Sequence, residues 1–146
     1  MPKSERPRPG GLNGRLRVLL VEDDVDLRAA VRQLVQQVLP KAEIFEAGDG
    51  FTAGHLLGAH RPELVVLDVF LPDTDGLAIC EKIRSTPALA ASRILAMTGQ
   101  GSVELEKQIR AAGADEYLPK PFQNAVFRDV VKRLAAQVGE PRSPTR

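Results

Sequence analysis

Apolar and polar positions alternate along the chain in two distinct rhythms. Short, nearly unbroken apolar runs occur at 16–21 (LRVLLV), 63–69 (ELVVLDV) and 92–98 (SRILAMT). They have the length and β-branched content of buried strands. Two shorter runs, 42–47 (AEIFEA) and 114–119 (ADEYLP), predict further strands. Between them lie longer stretches with helical spacing. In 24–39, Leu27, Ala30, Val31, Leu34, Val35 and Val38 form one apolar face, with Asp24 placed as N-cap and Pro40 as terminator. Helices are also predicted over 49–59, weakened by Gly54 and Gly58, over 76–85, over 102–112 with a stop at Gly113, and over 124–138.

The result is a strand–helix unit repeated five times. Units of this length imply parallel strands joined by right-handed crossovers, with helices on both faces, hence an α/β doubly wound five-stranded parallel sheet. Ligands of such sheets bind beyond the carboxyl ends of the strands. Glu22, Asp23 and Asp24 follow the first strand, Asp68 ends the third, Thr98 ends the fourth, and Lys120 and Pro121 follow the fifth. Each has an ordinary explanation alone: a helix cap, a loop start, a backbone hydrogen bond, a solvated charge. Together they place carboxylates, a cation and a hydroxyl on one rim. Converging carboxylates repel, and a hard cation such as Mg²⁺ relieves that repulsion. A carboxylate nucleophile, a metal and donors are the parts that phosphoryl transfer requires.

Composition narrows the function classes. The 146 residues suffice for one domain, with 43% hydrophobic and 27% charged residues. No apolar run is long enough to span a membrane, and no signal peptide precedes the core. Lone Cys80 excludes an intramolecular disulfide and fits a reducing, cytoplasmic setting. The absence of Trp and the scarcity of aromatic residues argue against a base-stacking surface. Residues 1–17 carry a net charge of +4 and residues 139–146 of +1, leaving 18–138 at −4. Residues 1–15 are expected to be a disordered basic tail, 16–138 the domain, and 139–146 a second disordered tail. Contact of the basic tail with nucleic acid is a minor alternative.

Four motifs, LLVEDD, LVVLDVFLPDTDG, ILAMTG and GADEYLPKPF, carry a resemblance. Over residues 16–138 the chain resembles the receiver domain of two-component response regulators. The resemblance implies a flavodoxin-like sheet of order 2-1-3-4-5. It further implies Asp68 as phosphoacceptor and Glu22 and Asp23 as the acidic pair, with Asp23 on Mg²⁺ directly and Glu22 through water. The Phe70 carbonyl would be another metal ligand. Thr98 and Lys120 would contact the phosphoryl group, Tyr117 would be the switch aromatic, and Lys120–Pro121 would be a cis peptide.

The expected partners are a sensor histidine kinase or histidine phosphotransferase and an unidentified downstream protein, with a homodimer a further option. The chain would catalyse only its own phosphotransfer and slow self-dephosphorylation. It ends soon after the last helix, so the expectation is a switch without an output module of its own. Where fast-dephosphorylating relatives hold a polar residue that positions water, this chain has Phe70, which implies a long-lived acyl phosphate. Phe70 also stands where a metal-dependent phosphatase would need a second Asp. Gly99 replaces the usual Ala and, with Gly101, makes the TGQG loop rich in glycine. The competing reading is a pseudo-receiver, a scaffold or dimerisation module that never carries phosphate. Asp73 and Asp75 are expected to cap the 76–85 helix, Phe122 to pack the last helix onto the core, and Cys80 to be a packing residue. His55 and His60 do not share a helical face, so no metal site is expected there.

Overall fold

The computed structural model describes residues 14–142. Its elements follow the order β1 (Arg17–Val21), α1 (Val25–Val38), β2 (Glu43–Ala47), α2 (Gly50–His60), β3 (Leu64–Asp68), α3 (Gly76–Ser85), β4 (Arg93–Thr98), α4 (Val103–Ala112), β5 (Glu116–Pro119) and α5 (Asn124–Gln137). All five strands are parallel, in the order β2-β1-β3-β4-β5. This is the doubly wound, flavodoxin-like arrangement.

Period-two alternation in the strands sorts side chains to two cores. Leu19, Val21, Val65, Leu67, Ile94 and Ala96 pack on one face against Ala53 and Leu57 of α2, Ile79, Cys80 and Ile83 of α3, and Ile109 of α4. Val18, Leu20, Leu64, Val66, Leu95 and Met97 pack on the other against Val31, Leu34 and Val35 of α1 and Phe127, Val130, Val131 and Leu134 of α5. Every residue of β3 and β4 is buried, whereas edge strand β2 is mostly half-buried. Phe122 stacks on Phe127 with centroids 5.2 Å apart, anchoring the start of α5. Burial pushes the Cys80 thiol up to about 12, as befits an inert packing residue.

Element ends differ from the sequence expectation by a residue or two, for physical reasons. The strands shorten to the stretch where ladder partners exist, so β3 stops at Asp68 and β5 begins at Glu116. Asp24, Asp49, Asp75 and Ser102 cap α1, α2, α3 and α4 by accepting the N–H of Leu27, Thr52, Leu77 and Leu105. Gln123 precedes α5 without a side-chain capping bond. Asp73 departs from expectation: it does not cap α3. Its two oxygens instead accept the N–H groups of Gly50 and Phe51, the first residues of α2, at 2.7 and 3.0 Å.

Residues 139–142, expected to begin a disordered tail, are hydrogen-bonded at the base of the sheet. Arg93 donates to the carbonyls of Gln137 and Glu140, and Arg142 donates to Asp115 at 2.7 Å and to the Gly113 carbonyl at 3.0 Å. Residues 1–13 and 143–146, most of the first expected tail and half of the second, lie outside the described residues.

Candidate functional site

The register of the sheet brings the candidate residues together. Val21 pairs with Leu67, Asp68 with Met97, and Thr98 with Pro119. Glu22, Asp68, Thr98 and Lys120 therefore emerge at one rim, the carboxyl edge of the central strands. Glu22 and Asp68 are 1% and 5% exposed, and Thr98 is fully buried. Buried carboxylates need partners, and both find the same one. The Lys120 ammonium donates to Glu22 Oε1 at 2.7 Å and to Asp68 Oδ2 at 2.9 Å. The second oxygen of each accepts a backbone N–H: Asp24 N–H to Glu22 Oε2 at 3.1 Å, and Phe70 N–H to Asp68 Oδ1 at 3.0 Å.

Burial dominates the electrostatics. It pushes the Glu22 carboxyl up to about 7, against the opposing pull of Lys120 and with a further push from nearby Asp68. Burial would lower Lys120, but its hydrogen bonds to Glu22 and Asp68 outweigh that and hold it above the ordinary lysine range. One cation thus serves two carboxylates, which leaves the cluster short of positive charge.

Exposed Asp23 completes the cluster. Glu22, Asp23 and Asp68 can each offer an oxygen within 4.8 Å of the others. An all-oxygen donor set of this kind, short of positive charge and open on the Asp23 side, fits a hard divalent ion such as Mg²⁺. Phe70 lies in the loop after β3, with its ring half-exposed. Thr98 Oγ1 accepts the Gln100 N–H at 3.1 Å, and the Thr98 carbonyl accepts the Lys120 N–H at 2.7 Å, so the β4 and β5 ends are tied together. The Lys120–Pro121 peptide is cis.

Tyr117, on β5 opposite Ala96, is half-buried against the α2–α3–α4 core. A Cβ built on Gly101 would overlap its hydroxyl and would lie 3.6 Å from Thr98 Cγ2. Glycine at 101 is thus what gives the tyrosine ring its place beside Thr98. His55 is exposed, while His60 stacks on Phe45 with centroids 4.0 Å apart.

Sequence reasoning missed Arg28. Its guanidinium donates to the Glu22 carbonyl at 2.8 Å and to Glu46 at 3.1 Å, and Glu46 also pairs with Arg32 at 2.7 Å. Arg28 thereby braces the loop that carries the acidic pair. The one signal was a cation in the first turn of a helix, where the dipole disfavours positive charge. Arg84 was also missed. It donates to Asp115 at 2.9 Å and to the carbonyls of Gly113, Ala90 and Ser92, far from the acidic rim.

Fold and site define a class: a doubly wound α/β domain with an acidic, lysine-bridged cluster at the carboxyl edge of its central strands. The response regulator receiver domain model matches residues 18–132, and the chain belongs to that family. It is 38% identical over 133 residues to response regulator MprA of Mycobacterium sp. (strain KMS), covering 88% of this chain and 56% of the relative. It is 40% identical over 121 residues to response regulator MprA of Mycolicibacterium vanbaalenii, covering 83% and 49%. The chain thus spans about half the length of these curated relatives. Among solved structures, the signal receiver domain of the DNA binding response regulator protein (merR) from Colwellia psychrerythraea 34H is similar, with a TM-score of 0.79 and 34% identity over 84% of this chain and 99% of that one. Chemotaxis response regulator CheY4 of Vibrio cholerae is similar with a TM-score of 0.75 and 26% identity, over 82% and 98%. Receiver domains are signalling switches of two-component systems. Among the described residues, no helix is long and apolar enough to cross a membrane.

Proposed function

We propose that this chain is a phosphorylatable receiver in which Asp68 accepts a phosphoryl group, in the cytoplasm, from the phosphohistidine of a sensor histidine kinase or a histidine phosphotransferase. The observation that carries the reading is the Lys120 bridge between Asp68 and Glu22, with Asp23 within reach of both. Asp23, Asp68 and the Phe70 carbonyl would hold Mg²⁺, and Glu22 would act on it through water. When bound, the ion supplies positive charge to the oxygens of the transferring group.

The chain's own residues do the rest. An Asp68 oxygen attacks phosphorus, the P–N bond to the donor imidazole breaks, and the imidazole leaves with the bonding pair. Lys120 stays beside Asp68 and pairs with the incoming phosphoryl oxygens. The Thr98 hydroxyl, now accepting from Gln100, turns to donate to one of them. That movement opens space for the neighbouring Tyr117 ring, and the surface built by α4, β5 and α5 changes. Phosphorylation in this scheme biases an equilibrium between two arrangements.

The surroundings suit a protein donor. Among the described residues, the exposed large hydrophobic ones, Val25, Phe51, Phe70, Val103 and Val126, all lie in the β3–α3 loop or in the first turns of α1, α2, α4 and α5. These segments all follow the carboxyl ends of the strands, so apolar contact surface rings the acidic cluster. The test is phosphorylation of the wild type and of Asp68→Asn by a phosphohistidine donor, with capture of partners by each form. The proposal expects label and a distinct partner set for the wild type only. Equal partner sets, with no label on either, would instead fit a scaffold.

A further inference from the structure

The β3–α3 loop carries the acceptor at its start and the Phe70 carbonyl one residue later. Both ends of this loop are closed on themselves. The Gly76 N–H donates to the Val69 carbonyl at 2.7 Å, and Phe70 forms an antiparallel bridge with Asp75. A Cβ on Gly76 would press on Val69 Cα and on the Asp68 carbonyl, so the loop's return passes directly over the acceptor's backbone. The tip has no such self-closure. It is held by Asp73, whose carboxylate grips the Gly50 and Phe51 N–H groups. That grip, chiefly the Gly50 bond, holds the Asp73 carboxyl below its usual range. The approach is close enough that a Cβ on Gly50 would overlap the Thr74 methyl. Asp49 caps α2 by accepting the Thr52 N–H, which leaves the Gly50 and Phe51 N–H groups at the helix start for a carboxylate from the β3–α3 loop.

We propose that Asp73, seated on the first turn of α2 by the side-chain-free Gly50, is a positioning residue that holds the β3–α3 loop in the shape in which Asp68 and the Phe70 carbonyl face the same ion. The inference rests on the metal-assisted reading above. It gives α2, which contributes no group to the chemistry, a part in building the site. Loss of the latch leaves the donors present but lets the loop tip leave α2, so the site must be re-formed with each binding event. Outer residues that orient metal donors characteristically govern affinity about tenfold.

The experiment is calorimetric titration of the full chain with Mg²⁺ alone, with urea unfolding of each variant in EDTA run alongside. Asp73→Ala is compared with Asp49→Ala, which weakens the same helix end without touching the loop. The latch predicts an Mg²⁺ Kd raised about tenfold in Asp73→Ala, an intermediate value in Asp73→Asn, and an unchanged value in Asp49→Ala. Gly50→Ala behaves like Asp73→Ala, and adding Thr74→Ser, which removes the overlapping methyl, restores part of the affinity, since a Cβ at 50 still lies 3.2 Å from the residue-74 Cβ and 3.3 Å from Asp73 Oδ1. Equal Kd changes in Asp73→Ala and Asp49→Ala, or no change in either, would overturn the latch while leaving the metal site standing. A wild type that binds no Mg²⁺ would overturn both. If Asp73→Ala does not fold, Asp73→Asn and the Gly50→Ala/Thr74→Ser pair decide the matter by the same criterion.

Discussion

Replacing Glu22 with Gln separates the electrostatic burden of the site from its packing. Glutamine matches the protonated carboxyl in shape and cannot ionise. In the folded, metal-free protein burial raises the Glu22 carboxyl from 4.5 to about 7. A group raised in this way contributes stability that is fully present below its unfolded value and lost as pH rises through its folded value. Wild-type stability therefore falls between about pH 4.5 and pH 7 on account of Glu22, at about 1.4 kcal/mol per pH unit, or roughly 3 kcal/mol in all. Glu22→Gln is spared this loss. Urea unfolding in EDTA, followed by circular dichroism, should show the variant at most level with the wild type near pH 4.5, because its amide NH2 cannot accept where a Glu22 oxygen accepts from Lys120 or from the Asp24 N–H. The variant should then gain on the wild type between pH 4.5 and pH 7, by at most about 3 kcal/mol, equivalent to roughly 10 °C in Tm. Saturating Mg²⁺ should narrow the gap, because the ion relieves the crowding of the carboxylates in the wild type. Parallel stability profiles, with no gain by the variant between pH 4.5 and pH 7, would refute the assignment of Glu22 as the strained member of the cluster.

Lys120→Met removes the cation shared by Glu22 and Asp68 and should cost about 3 kcal/mol at pH 8 without metal, most of it recovered in Mg²⁺; a loss indifferent to Mg²⁺ would contradict the bridge. Tyr117 is the sole tyrosine and the chain has no tryptophan, so intrinsic fluorescence reports this ring alone. Gly101→Ala fills the space its hydroxyl occupies, and iodide quenching should rise as the ring is displaced outward; unchanged quenching would contradict the placement. The Phe70 side chain offers no polar atom to orient a hydrolytic water, so phosphoryl label should outlast the seconds scale in the wild type and be lost faster in Phe70→Asn, as read by radiolabel decay.

The sequence made local order legible and left most long-range pairing hidden. Leu64–Leu67 form an unbroken apolar run ending in a carboxylate, which marks both a central strand and its functional tip. Asp24 and Asp49 announce their helices because a cap and its helix adjoin in the chain. Asp73 misled for the same reason: adjacency pointed to α3, whereas its partners Gly50 and Phe51 lie more than twenty residues upstream. The acidic cluster was anticipated because parallel-sheet topology sends all strand tips to one rim. The Lys120–Glu22 contact spans 98 residues and became foreseeable only through that topology and the family motifs. Arg28 and the Arg84–Asp115–Arg142 group left little trace in the pattern, since a cation on a helix surface looks the same whether it meets water or a carbonyl.

Everything in the proposed switch depends on Asp68 being the group that takes the phosphoryl. Incubation of the protein with acetyl phosphate and Mg²⁺, followed by borohydride trapping and fragment mass spectrometry, tests it directly. One residue, Asp68, should be modified in the wild type, with no modification in Asp68→Asn and none when EDTA replaces Mg²⁺. Label located at Glu22 or Asp23, or label that persists in Asp68→Asn, would contradict it.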